Sequence, residues 1–190
     1  DQLMSICGNY MKQKGTLKKN TIVATVMSNL GMFLMGEREG IHIEKTKVGD
    51  RYVLENMLEN GYNIGGEQSG HIIFLDENTT GDGLLSALHL LQVMTETKKK
   101  LSELASIMEV LPQALVNAKV PNHKKEHFEE YAEIAEAIAE VEAKFAGEGR
   151  VLIRPSGTEP LVRVMIEGKD QQLIESEAQK LAELISSIML

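Results

Sequence analysis

The chain has 190 residues, 43% of them apolar and 25% charged, and its 20 Lys plus Arg against 28 Asp plus Glu leave a formal net charge of −8. That length suits one large domain or two small ones, at about 100–200 residues per domain, and is enough to bury a core. The acidic balance argues against a nucleic-acid binder or a polybasic membrane anchor, since both meet phosphate with clustered Lys and Arg.

The chain opens at Asp1 rather than Met, which suggests a fragment or a processed product. From Gln2 to Met11 the apolar residues Leu3, Met4, Ile6, Cys7, Tyr10 and Met11 recur at helical spacing. Cys7 is the single cysteine, so neither an internal disulfide nor a Cys-based zinc cluster is available, and a reducing cytoplasm is expected. No apolar run approaches the ~20 residues needed to span a bilayer. The β-branched, nearly all-apolar run Thr21 to Met27 reads as a strand covered on both faces. Ser28-Asn29 caps a short helix through Leu34 that the Gly36 to Gly40 stretch ends. Ile41 to Thr46 alternates as a strand. Gly49 to Asn60 reads as a helix with Tyr52, Val53, Met57 and Leu58 inward and Gly61 as its stop. Asn63 to Gly66 and His71 to Leu75 read as short antiparallel partners across a glycine-flanked turn, and a long helix runs from about Asp82 to Lys98. The run Lys98-Lys99-Lys100 suits a solvated helix C-terminus.

Pro112 and Pro121 bracket a stretch, 112–120, expected to act as a hinge that also carries the first strand of a second unit. Beyond it, Phe128, Tyr131, Ile134, Ile138, Val141 and Phe145 mark one apolar stripe on a very acidic helix. Two strands, Val151 to Ile153 and Leu161 to Ile166, and a last helix from about Gln171 to Ile188 follow. The fold class expected is α/β. A mixed-sheet α/β domain over 1–111 precedes a small α+β domain over 121–190, whose antiparallel sheet has the order β-α-β-β-α.

Two loops carry candidate chemistry. In Arg154-Pro155-Ser156-Gly157-Thr158-Glu159-Pro160, Arg154 offers a guanidinium fork, Ser156 and Thr158 offer hydroxyls, and Gly157 allows close backbone approach, as a phosphate dianion requires. The same composition also suits a plain polar hairpin turn. In Gly65-Gly66-Glu67-Gln68-Ser69-Gly70-His71, a glycine frame displays a carboxylate, an amide, a hydroxyl and an imidazole, groups that suit a sugar and equally a simple turn.

Taken together, Gly66 to His71 and Arg154 to Pro160 resemble the sugar-binding and phosphate-binding loops of the α-D-phosphohexomutases. The stretches Thr46 to Val53 and Thr79 to Leu88 resemble the amino-sugar branch of that family. The resemblance extends over essentially all 190 residues and corresponds to the third and fourth of four domains. Missing from these residues are the family's phosphorylated serine loop and its Asp-Gly-Asp-x-Asp-Arg magnesium loop.

The resemblance implies interconversion of glucosamine 6-phosphate and glucosamine 1-phosphate through a phosphoserine and a glucosamine 1,6-bisphosphate intermediate. Mg2+ would be bound outside this chain, which has no metal site of its own. The implied partners are the sugar phosphate, the N-terminal half of the same enzyme and a second copy in a homodimer. It further implies that Glu67, Gln68, Ser69 and Gly70 hold sugar hydroxyls and that Arg154, Ser156, Gly157 and Thr158 grip the phosphate. Glu159 either orients Arg154 or is a turn residue, and Arg163 either lends positive potential or forms a structural ion pair. His71 is a candidate acid–base helper or a hydrogen-bonding loop residue, and Arg51 a catalytic cation, a helix cap or a surface pair. His42 and His89 show no ligand constellation. A glucose or mannose phosphate preference, or a non-catalytic sugar-phosphate-binding module, are the alternatives. His123-Lys124-Lys125-Glu126-His127 matches the inverted zincin pattern, a remote zinc-hydrolase reading beside the plain one of a solvated helix start.

Overall fold

The computed structural model describes residues 1–147 and 149–190, which form two compact units, 1–110 and 111–190. No helix among the described residues is long and apolar enough to cross a membrane.

The first unit runs α1 (Gln2–Gln13), β1 (Thr21–Thr25), α2 (Leu30–Glu39), β2 (His42–Thr46), α3 (Asp50–Asn60), β3 (Ile64–Gly66), β4 (Ile72–Phe74), α4 (Gly83–Thr97) and α5 (Leu101–Ala105). Its sheet has the order β2-β1-β3-β4, with β1 parallel to β2 and β3, and β4 antiparallel to β3. β1 is buried at all five positions, as its apolar run requires of a strand covered on both faces. One face meets Met4 and Cys7 of α1 and Met32, Phe33 and Met35 of α2. The other meets Val53 and Met57 of α3. The crossovers α2 and α3 therefore lie on opposite faces, and the chain reverses direction across the sheet between β1 and β3. Open α/β sheets bind ligands outside the carboxyl ends of their strands at such a switch point.

Two sequence expectations shift here. α2 continues through Gly36 to a left-handed Gly40 (φ 63°). Gly36 is a packing residue, because a Cβ there would lie 2.7 Å from the Ile41 carbonyl oxygen. Of the four α3 residues expected inward, Val53 and Met57 are buried, while Tyr52 and Leu58 are exposed. On α4, Leu84, Leu88 and Leu91 are also exposed.

The second unit runs β5 (Gln113–Lys119), a 3₁₀ segment (Lys125–Glu130), α6 (Ala132–Phe145), β6 (Arg150–Pro155), β7 (Leu161–Glu167) and α7 (Gln171–Met189). Its antiparallel sheet has the order β5-β7-β6. Alternation sends Ala114, Ala118, Val162, Val164 and Ile166 into a core with Ile134 and Val141 of α6 and Ile174, Leu181 and Ile185 of α7. The stretch 112–120 carries the expected first strand of the second unit, β5, and all seven of its residues pair with β7. The acidic stripe, by contrast, is two elements rather than one helix. Tyr131 is extended (ψ 113°), and α6 restarts after it.

Candidate functional site

The 67–71 loop follows the carboxyl end of β3. Glu67 N–H donates to the His71 carbonyl (2.9 Å) and Gly70 N–H to the Glu67 carbonyl (3.1 Å), closing a tight turn with Gly70 at φ 104°. Gly66 is obligatory, since a Cβ there would lie 2.2 Å from the His71 carbonyl oxygen. The Glu67 carboxylate is half-buried and accepts from Gly49 N–H at 2.9 Å, which ties β3 to the start of α3. Gln68, Ser69, Gly70 and His71 are exposed. The structure thus gathers the five candidates of this loop and leaves their polar atoms facing solvent, apart from the Glu67 oxygen held by Gly49. Arg51 does not join them. Its guanidinium pairs with Glu55 one turn along α3 (2.7 Å) and is raised above its ordinary pKa by that carboxylate.

The second loop joins β6 to β7. Register places Arg154 directly opposite Arg163 and Asn117 opposite Arg163 on its other side. Directly opposed residues share a sheet face, so Asn117, Arg163 and Arg154 form a row on the face away from the core. Like charges in this position are destabilising unless an anion answers them. Burial, and secondarily the charge of Arg163, lowers the Arg154 pKa, and Arg154 has no ion-pair partner among the described residues. Of the two roles open to Glu159, orienting Arg154 is not the one seen: its carboxylate pairs with Arg163 (3.1 Å), which gives Arg163 the ion pair weighed for it. The Arg163 Nε is buried with no acceptor among the described residues.

Ser156 also departs from expectation. It is 1% exposed, and its hydroxyl accepts from Glu159 N–H (3.2 Å), so it shapes the turn from within. Gly157 and Thr158 are exposed, and neither N–H is used in a hydrogen bond among the described residues.

Two residues escaped the sequence reading. Asn117 would have been found by counting alternation across paired strands. Lys125 sits in a charge run read as solvated, yet it is 7% exposed and donates to the Ser156 and Glu159 carbonyls. The zincin-like spacing makes no site. His123 precedes the 3₁₀ segment, His127 has non-helical φ/ψ (−110°, 16°) and pairs with Glu130 (2.6 Å), and no group of three or more metal-ligating side chains stands together among the described residues.

A cleft of about 470 Å³ lies between α1, α4 and β4, beyond the amino end of β3, and includes Tyr10, Lys14, Asp76, His89 and Glu96. Its charges are already answered: Lys14 pairs with Glu96 (2.8 Å) and Asn63 donates to Asp76 (2.7 Å). His89 stacks on Phe74 at 3.9 Å, with Nε2 2.9 Å from Glu77 but not aligned for a hydrogen bond. The two motif loops, with uncommitted donors, are the better sites.

Comparison with known proteins shows the family. Residues 1–111 match the family model "Phosphoglucomutase/phosphomannomutase, alpha/beta/alpha domain III", and residues 115–184 match "Phosphoglucomutase/phosphomannomutase, C-terminal domain". The phosphoglucosamine mutases of Ruminiclostridium cellulolyticum and Acetivibrio thermocellus are 63% and 64% identical over 185 residues, 97% of this chain. The chain spans 41% of the length of these relatives. In fold, it is similar to Aspergillus fumigatus N-acetylphosphoglucosamine mutase solved with GlcNAc-6P and magnesium (TM-score 0.77, 14% identity, all of this chain and 44% of that one). Matched by family models in each of its two units, the chain belongs to the phosphoglucomutase/phosphomannomutase family and carries its domain III and its C-terminal domain.

Proposed function

We propose that this chain supplies the sugar- and phosphate-binding part of a cytoplasmic phosphoglucosamine mutase that interconverts glucosamine 6-phosphate and glucosamine 1-phosphate. The observation that carries the phosphate half is the opposed pair Arg154 and Arg163, two guanidiniums on facing positions, of which only Arg163 meets a carboxylate, that of Glu159, among the described residues. A phosphate dianion bound there accepts from the Arg154 fork and from the free N–H groups of Gly157 and Thr158, with the Thr158 hydroxyl beside them. The amino-sugar preference draws on the 63–64% identity to phosphoglucosamine mutases.

In this reading the free carboxylate oxygen of Glu67 and the Ser69 hydroxyl take neighbouring sugar hydroxyls, with Gln68 beside them and Gly70 leaving room for the ring. His71, at the end of the same turn, is positioned to hold or pass a proton at a sugar oxygen. A phosphoserine supplied outside these 190 residues gives its phosphoryl group to the free oxygen of the sugar phosphate, forming glucosamine 1,6-bisphosphate. The bisphosphate, reversed in the site, then returns its other phosphoryl group to the serine. This chain grips whichever phosphate is not reacting, and positioning of that kind is most of what phosphoryl transfer asks of a protein. Mg2+ would offset phosphate charge during transfer, and the described residues offer no cluster fit to hold it. The remaining partners in this reading are the N-terminal portion of the enzyme and a second copy of it.

Calorimetric titration of the 190-residue chain with glucosamine 6-phosphate tests the proposal. Binding without turnover is expected, and Arg154→Ala should weaken it about tenfold or more, the loss of a charge-assisted hydrogen bond. Unchanged affinity in Arg154→Ala would remove the phosphate assignment. Glucose 6-phosphate or mannose 6-phosphate binding more tightly than the amino sugar would move the substrate preference.

A further inference from the structure

The least expected residue around the phosphate loop is Lys125. A lysine side chain is almost never fully buried unless paired, because desolvating an ammonium is costly. Lys125 is 7% exposed, yet among the described residues it has no carboxylate partner. Its ammonium meets only main-chain oxygens, the carbonyls of Ser156 and Glu159 (the latter at 3.4 Å), which flank Gly157 and Thr158 on either side. The position of Lys125 is fixed from several directions. Phe128, three residues on, is in the core, Lys124 Nζ donates to the Met189 carbonyl (2.8 Å), and Val120 N–H donates to the Pro160 carbonyl (3.1 Å).

We propose that Lys125 is the positioning residue of the phosphate loop, a cation set beneath the turn that bridges its two ends and leaves the Gly157 and Thr158 N–H groups free for an anion. The inference rests on the phosphate-loop reading above and adds a residue and a role to it. Two physical consequences follow from the geometry. A turn with both flanking carbonyls tied to one ammonium has less freedom to lose on binding, which favours affinity. The charges also balance: Lys125, Arg154 and Arg163 against Glu159 leave two positive charges, which a phosphate monoester carrying about −1.5 to −2 at neutral pH neutralises. A lysine serving only to close the loop would be replaceable by a neutral hydrogen-bond donor. One serving the anion would not.

The test is titration of the full 190-residue chain with inorganic phosphate, followed through the ¹H–¹⁵N signals of Gly157 and Thr158. Lys125→Met is expected to weaken phosphate binding about tenfold to a hundredfold, the range for hydrogen bonds to a charged group. Lys125→Arg, which keeps a cation able to reach both carbonyls, should recover most of that loss, and Lys125→Gln should not. Should Lys125→Met unfold the second unit, the comparison of Gln with Arg carries the test: equal affinities overturn the proposal, and tighter binding by Arg supports it. Arg154→Ala separates the two readings. If it weakens binding while Lys125→Met does not, the Lys125 role falls and the phosphate loop stands; if neither variant changes affinity, both fall.

Discussion

At the scale of single residues, the described residues of the second unit hold charge inside the protein in two different ways. Lys125 meets carbonyls, whereas Glu167, fully buried, meets the Arg150 guanidinium at 2.6 Å from the opposite position on the neighbouring strand. Glu167→Gln removes the carboxylate charge from a hydrogen bond made by the Arg150 guanidinium, so it should lower stability by about 1.5–3 kcal/mol in a urea titration of the chain. A loss below about 1 kcal/mol would class the pair with solvent-exposed ones. Neither arrangement was legible in the sequence, because a Lys in a charge run and a Glu at a strand end look solvated until tertiary pairing is known. The contents of the two loops were legible, since glycines, hydroxyls and Arg154 are placed by local backbone needs. The partner of Glu159 was not: the choice between Arg154 and Arg163 depends on which strand the carboxylate folds back upon. Cys7 was half legible. Its apolar place in the helix was read, but not its depth of burial, which pushes the thiol up to about 12.

At the scale of elements, periodicity located nearly every helix and strand, and the errors share a cause. Gly36 looked like a helix stop because glycine usually is one, but there it admits the Ile41 carbonyl. The acidic stripe from Phe128 to Phe145 looked like one helix because a 3₁₀ segment and an α-helix can keep the same face buried across a break. Tyr52 and Leu58 looked inward because the pattern was read without knowing how narrow the α3 contact is. A prediction at this scale concerns the contact of α1 with α4. Lys14 and Tyr10 of α1 hold the Glu96 carboxylate of α4, and the Lys14 hydrogen bond is the largest cause of its pKa falling to about 2. A depressed carboxylate favours the folded state above its ordinary value near 4.3, and that contribution is lost as pH falls through about 2. Carboxyl ¹³C titration should therefore place Glu96 at about 2 in the folded chain, and Lys14→Met should return it toward the ordinary range. A midpoint near 4.3 in the unmodified chain would mean that the α1–α4 pair does not persist in solution.

At the scale of the whole molecule, the net charge of −8 describes the surface and not the site. Glutamates crowd the segment from Glu126 to Glu142, while the Asn117, Arg163 and Arg154 row has Lys119 two residues along β5 on the same sheet face. The rigidity of the 112–120 stretch is testable by limited trypsin digestion. Lys98, Lys99 and Lys100 are exposed between α4 and α5, with Lys98 at φ 56°, whereas Lys119 ends a fully paired strand. Cleavage should occur first at 98–100 and spare Lys119. Early appearance of a fragment beginning at Val120 would favour a mobile 112–120 stretch.

The opposed arginines are held where they are by the core beneath them rather than by the 156–160 turn. Side chains alternate along a strand with a period of two, so while Val162, Val164 and Ile166 stay in the core, Arg163 must stay on the outer face. A one-residue slip of β7 against β6 would bury Arg163 and expose those three together. A residue added within the turn leaves that alternation untouched. The spacing of the two guanidiniums is thus inherited from apolar packing on the other side of the sheet.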